Sequence, residues 1–98
     1  MTDTVVEFNK ILIDMVDNFN NYIPRQYLMY LKFNPSSDEF IVRFLNEIDS
    51  ECVANKDENA FKNIEIPLEY SELTNRNKSI LWKYITILHY LAKRYKCQ

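Results

Sequence analysis

The chain has 98 residues, 47% of them hydrophobic and 27% charged, with a net charge of −2. That describes one domain over 1–98, near the lower limit of what a hydrophobic core holds without metals or disulfides, and it excludes wholesale disorder. The chain has no glycine, which disfavours β-hairpins and excludes phosphate-cradling loops, dinucleotide turns and nucleophile elbows, all of which use glycine for tight turns or close backbone approach.

In chain order, the first helical pattern covers about residues 3 to 20, with Phe8, Ile11, Leu12, Met15, Val16 and Phe19 at the spacing of one helix face. Thr2 or Thr4 is placed to cap it, and Asp3 and Glu7 suit the positive end of its dipole. Asn20, Asn21 and Pro24 end it, and Pro24 opens a second helix over about 24 to 33. That helix is apolar nearly all round, with Tyr27, Leu28 and Leu31 on one face and Met29, Tyr30 and Phe33 around the rest. It is either wedged between others or presents an aromatic surface to a partner, and core placement is the expectation.

Residues 34 to 39 carry a helix-start signal in two registers, Asn34 followed by Pro35, or Ser36 with Glu39 as a capping box. The helix that follows is expected to run to about residue 54, burying Phe40, Ile41, Phe44, Leu45, Ile48 and Cys52. Cys52 therefore reads as a small core residue rather than a reactive thiol. Residues 55 to 73 are polar and interrupted by Pro67, with Ala60, Phe61, Ile64, Ile66 and Leu68 anchoring one or two short helices.

The last helix runs from a Thr74 cap to about Lys96. Its main stripe is Ile80, Leu81, Tyr84, Ile87, Leu88, Leu91, Ala92 and Tyr95, with Trp82, Ile85 and His89 beside it. Two adjacent apolar stripes are best buried at the centre of a bundle. The fold class is all-α, a small bundle of about four main helices with one or two short extra turns and the C-terminal helix central.

The run from Leu73 to Ile85, with Trp82-Lys83-Tyr84 as its specific part, resembles a segment of uncharacterised small helical proteins of nucleocytoplasmic large DNA viruses. Residues Phe8 to Ile23 are loosely similar to their opening helix. The resemblance implies a viral, non-enzymatic helical protein and brings no catalytic residue or partner with it.

No catalytic, cofactor or metal constellation stands out. His89 is the single histidine, so a multi-histidine site within one chain is impossible, and a Cys/His pair would need Cys52 or Cys97 brought to it by the fold. The acidic groups Asp14/Asp17, Asp38/Glu39, Glu47/Asp49/Glu51 and Asp57/Glu58 read as solvated faces and turns. The chain is expected to be reduced, soluble and intracellular, in host cytoplasm or virion if viral, with no membrane contact, since no run resembles a leader or an apolar span.

Charge is the most informative pattern. Residues 75 to 98 carry six basic groups and no acid, whereas residues 1 to 74 carry six basic and fourteen acidic groups. Either the basic helix is neutralised by acidic neighbours in its own bundle, or Lys83, Lys93, Arg94 and Lys96, with Tyr90 or Tyr95, form a basic-aromatic strip for nucleic acid, or the acidic portion of one chain meets the basic helix of another and drives self-association. The expected function is a non-enzymatic protein-interaction or virion-associated module, its partner a protein, with a second copy of the chain among the candidates. The alternative is a weak nucleic-acid-binding accessory protein.

Overall fold

A computed structural model describes residues 4–63 and 66–97. Among the described residues there are six α-helices, one short 3-10 turn and no strand: α1 (Thr4–Asn18), α2 (Arg25–Phe33), α3 (Glu39–Glu47), α4 (Ser50–Asn55), α5 (Asn59–Asn63), the turn Tyr70–Glu72, and α6 (Asn75–Lys96). The architecture is the expected small all-α bundle. Helix α6 is its axis, packing against α1, α3 and α4, while α2 and α3 lie on α1.

Helix α1 buries Phe8, Leu12, Met15 and Val16 on one side. Its chain continues through Phe19 and Ile23, both buried, and Pro24 at φ −57° leads into α2. Thr2 and Asp3 lie outside the described residues, and Thr4 is a buried residue of the first turn. The α2–α3 link is held from below by Asn9, a buried residue of α1. Its side-chain amide donates to the carbonyls of Pro35 at 3.0 Å and Ser37 at 2.8 Å.

Helix α3 starts later than either expected register. Asp38 occupies the cap without a side-chain bond, and the Ser37 hydroxyl accepts the Glu39 amide at 3.2 Å instead. Asn34 serves the preceding helix, where its side-chain amide donates to the Tyr30 carbonyl at 2.7 Å.

The single helix expected up to residue 54 is two helices. Ile48 is extended at φ −122° and ψ 124°, and the Asp49 carboxylate accepts the Cys52 amide at 2.8 Å to begin α4. The break keeps Ile48 buried and turns α4 onto α6.

Helix α4 ends with the Lys56 amide donating to Val53 O at 3.3 Å and the Asp57 amide to Cys52 O at 3.1 Å. That pair of bonds puts Lys56 in the left-handed region, φ 51°, a position that favours glycine. The turn sends the chain into α5, which buries Ala60 and Phe61. Ile66 and Leu73 are buried beyond it; the expected anchor Ile64 lies outside the described residues.

The Thr74 hydroxyl accepts the Asn77 amide at 3.1 Å, as expected of the α6 cap. Leu81, Trp82, Ile85, Leu88, Leu91 and Ala92 are the buried residues of this helix. The centre of its buried face is thus rotated toward Trp82 and Ile85, leaving Ile80, Tyr84 and Tyr95 at the flank and Ile87 in solvent. The expected place of Ile87 in the main stripe is therefore wrong.

Trp82 sits with Phe61 at 5.3 Å and Tyr70 at 6.4 Å between ring centroids, and its indole N–H donates to the Tyr70 hydroxyl at 2.9 Å. Lys78 closes this cluster from outside, 4.9 Å over the Tyr70 ring. At the other flank, the Tyr84 hydroxyl donates to Asp14 Oδ2 at 2.8 Å and accepts from the Asn18 side-chain amide, tying α6 to α1.

Candidate interaction surfaces

The outward face of α6 carries the most distinctive surface. Ile87 is 47% exposed and Tyr90 64% exposed, one turn apart on the side opposite Leu81, Ile85, Leu88 and Ala92. Lys83 lies one turn before Ile87, and Lys93 and Arg94 lie three and four residues after Tyr90, where helical neighbours meet. Arg76, two turns before Lys83, continues the same face.

Lys83, Lys93, Arg94 and Lys96 are all exposed, and among the described residues none of them forms an ion pair. Among the described residues, direct pairing of this helix with the acids of its own bundle is thus not seen. The sole ion pair among the described residues lies within α3, Arg43 to Glu39 at 3.4 Å.

Lys83, Lys93 and Arg94 share the strip. Lys96, thirteen residues after Lys83, points roughly 140° away around the helix at about 3.6 residues per turn. Of the two tyrosines considered with them, Tyr90 is on the strip and Tyr95 is half-buried against the core. Sequence periodicity missed Ile87 and Arg76 as strip members, because Ile87 fits an apolar stripe equally well. The signal for Arg76 was its seven-residue spacing from Lys83.

A second exposed apolar surface lies on α2, where Phe33 is 76% exposed and Met29 and Tyr30 are also in solvent. Core placement is thus wrong for half of this helix. It packs mainly on α1, which covers Leu28 and Leu31, while the opposite side meets α3 only where the Tyr30 ring lies edge-on to Phe40 at 5.7 Å between centroids. The Tyr30 hydroxyl donates to both carboxylate oxygens of Glu39 at 3.1 Å, and this bond to a carboxylate holds the phenol above its ordinary pKa.

The outer side of α3 is acidic. Asp38, Glu39, Val42, Arg43, Asn46 and Glu47 line a shallow depression of about 490 Å³. Val42 is exposed at its middle.

His89 is half-buried, as expected, and its Nε2 lies 3.2 Å from the Ser50 hydroxyl rather than in a hydrogen bond with either cysteine. Burial, then the Lys93 cation, hold the imidazole below its ordinary pKa, against the pull of Asp49. Asp49 Oδ1 is occupied by the Cys52 amide and no bond joins Asp49 to the imidazole, so the Ser50–His89 contact lacks the third member that would orient a base. Cys52 packs half-buried against the core and Cys97 is exposed. Among the described residues no group of three metal-binding side chains converges, and no helix is long and apolar enough to cross a membrane.

Nothing matches this chain among protein-family models, curated proteins or solved structures.

Proposed function

We propose that the chain is a non-enzymatic helical interaction module that binds a protein partner through the outward face of α6. The observation that carries this is the placement of Ile87 and Tyr90, both exposed, between the unpaired cations Lys83, Lys93 and Arg94. An apolar and aromatic centre with a charged border is the anatomy of a protein interface, in which tyrosine and arginine supply anchoring contacts. The cations select an acidic partner and speed its encounter.

Nucleic acid is the second reading, favoured by the same three free cations with Tyr90 available to stack on a base. Ile87 has no part in it, and the net charge of −2 opposes phosphate. A viral, virion-associated setting is supported by the Trp82-Lys83-Tyr84 resemblance alone. Packing already accounts for two of those residues, since Trp82 is buried and Tyr84 joins α6 to α1.

The test is photo-crosslinking from a reactive side chain in place of Ser79, one turn before Lys83 on the same side, in lysate of the source cell with and without nuclease. A nuclease-resistant protein adduct that disappears in Ile87→Asp is expected. Binding to labelled single- or double-stranded DNA or RNA, with a log-log salt slope of about 2–3 for three phosphate contacts, would transfer the strip to nucleic acid.

A further inference from the structure

We infer that the partner of the α6 strip is a second copy of this chain, which presents the acidic outer side of α3. This deepens the interaction reading above and rests on it. Its origin is a charge separation that the fold leaves open: residues 75 to 98 have six basic groups and no acid, the rest of the chain has eight more acids than bases, and among the described residues no ion pair joins the two parts.

The two surfaces have matching patterns. On α6 the order is cation, apolar, cation: Lys83, then Ile87 and Tyr90, then Lys93 and Arg94. On α3 it is acid, apolar, acid: Asp38 and Glu39, then Val42, then Glu47, with Arg43 beside Val42 held by Glu39.

From Lys83 to Arg94 is about 16 Å along a helix axis, and from Asp38 to Glu47 about 13 Å, at about 1.5 Å per residue. The lengths therefore agree to within one turn. Because acids stand at both ends of Val42 and cations at both ends of the Ile87 and Tyr90 pair, the charges meet in either helix direction. The depression of about 490 Å³ around Val42 receives the Tyr90 ring.

The two surfaces do not meet within one molecule. Helix α3 packs toward α6 and α1 through Phe40, Ile41 and Phe44, so its acidic side faces away from α6. Other surfaces fit the strip less well. The aromatic side of α2 has Arg25 and Lys32 beside Met29, which repel the strip's cations. On the outer side of α1, Lys10 stands exposed among the acids, whereas Arg43 on α3 is half-buried and held by Glu39. Because the two contacting surfaces differ, the contact is heterologous: it extends from copy to copy or closes when two copies exchange both surfaces.

Sedimentation equilibrium of the full chain, at low and high salt, decides the matter. The wild type is expected to exceed monomer mass increasingly with concentration, and salt is expected to reduce the excess. The triple variant Lys83→Glu/Lys93→Glu/Arg94→Glu is expected to associate at least about tenfold more weakly, the scale of like-charge juxtaposition, and the double variant Asp38→Lys/Glu47→Lys to do the same.

Mixing the two variants, each with wild-type helicity by circular dichroism, restores association, because the acidic α6 of one then meets the basic α3 of the other. A wild type still monomeric at about millimolar concentration in low salt overturns the assignment, as does association indifferent to both variants. Excess mass removed by nuclease also overturns it. The crosslinking experiment reads the α6 strip in a monomer as well, so the two inferences fail separately.

Discussion

The aromatic residues near α6 and those on α2 are chemically alike and have opposite fates. Phe61, Tyr70 and Trp82 come from three different segments and enclose one another, with the indole N–H bonded to the Tyr70 hydroxyl. Met29 and Phe33 lie exposed on the outer side of α2, and Tyr30 beside them meets α3 only at its edge, against Phe40 and Glu39. Aromatic content is therefore not core content. Enclosure by several elements, with a partner for each polar atom, makes a ring structural.

The largest expected effect tests the enclosed side. Trp82→Ala removes a buried ring and strands the Tyr70 hydroxyl, and should lower stability by about 3–5 kcal/mol, read as a shift in urea midpoint. A loss below about 1 kcal/mol, the size of an ordinary substitution, would mean that the cluster does not hold α5 and α6 together.

The next effect has the opposite sign. Lys56→Gly relieves a left-handed backbone position at the turn that steers α5 into the same cluster, and should raise stability by about 1 kcal/mol. Destabilisation in the same urea titration would show that the Lys56 side chain contributes more than its backbone costs.

The smallest effect belongs to α2: Phe33→Ala should stay within about 0.5 kcal/mol of wild type despite deleting a whole ring. A larger loss in thermal or urea unfolding would mean that Phe33 is covered in solution.

These contrasts also show what was legible in the sequence. The limits of α6 were readable because Thr74 is a side-chain cap and the apolar spacing lasts over four turns. The phase of its buried face was not. Stripes through Ile80, Tyr84 and Ile87 and through Leu81, Ile85 and Leu88 both satisfy helical spacing, and only the neighbouring helices choose between them.

The division of α3 from α4 was hidden because neither glycine nor proline marks it. The available signal was Asp49 followed by Ser50 and Glu51, an acidic cap with an acid in the first turn. For the candidate surface, the sequence supplied Lys83, Lys93, Arg94 and Tyr90. Their freedom from ion pairs required the tertiary arrangement, since the acids that might have neutralised them lie far away in the chain.

The bond between Tyr84 and Asp14 spans 70 residues. A ribosome adding about 5–20 residues per second takes about 4–14 s to cover that distance. For all that time the apolar side of α1 has emerged, or is emerging, without α6, against which it packs. The nascent chain thus carries an open apolar face until α6 is made. Its yield in the cell depends on how well that face is shielded in those seconds, as well as on the stability of the finished bundle.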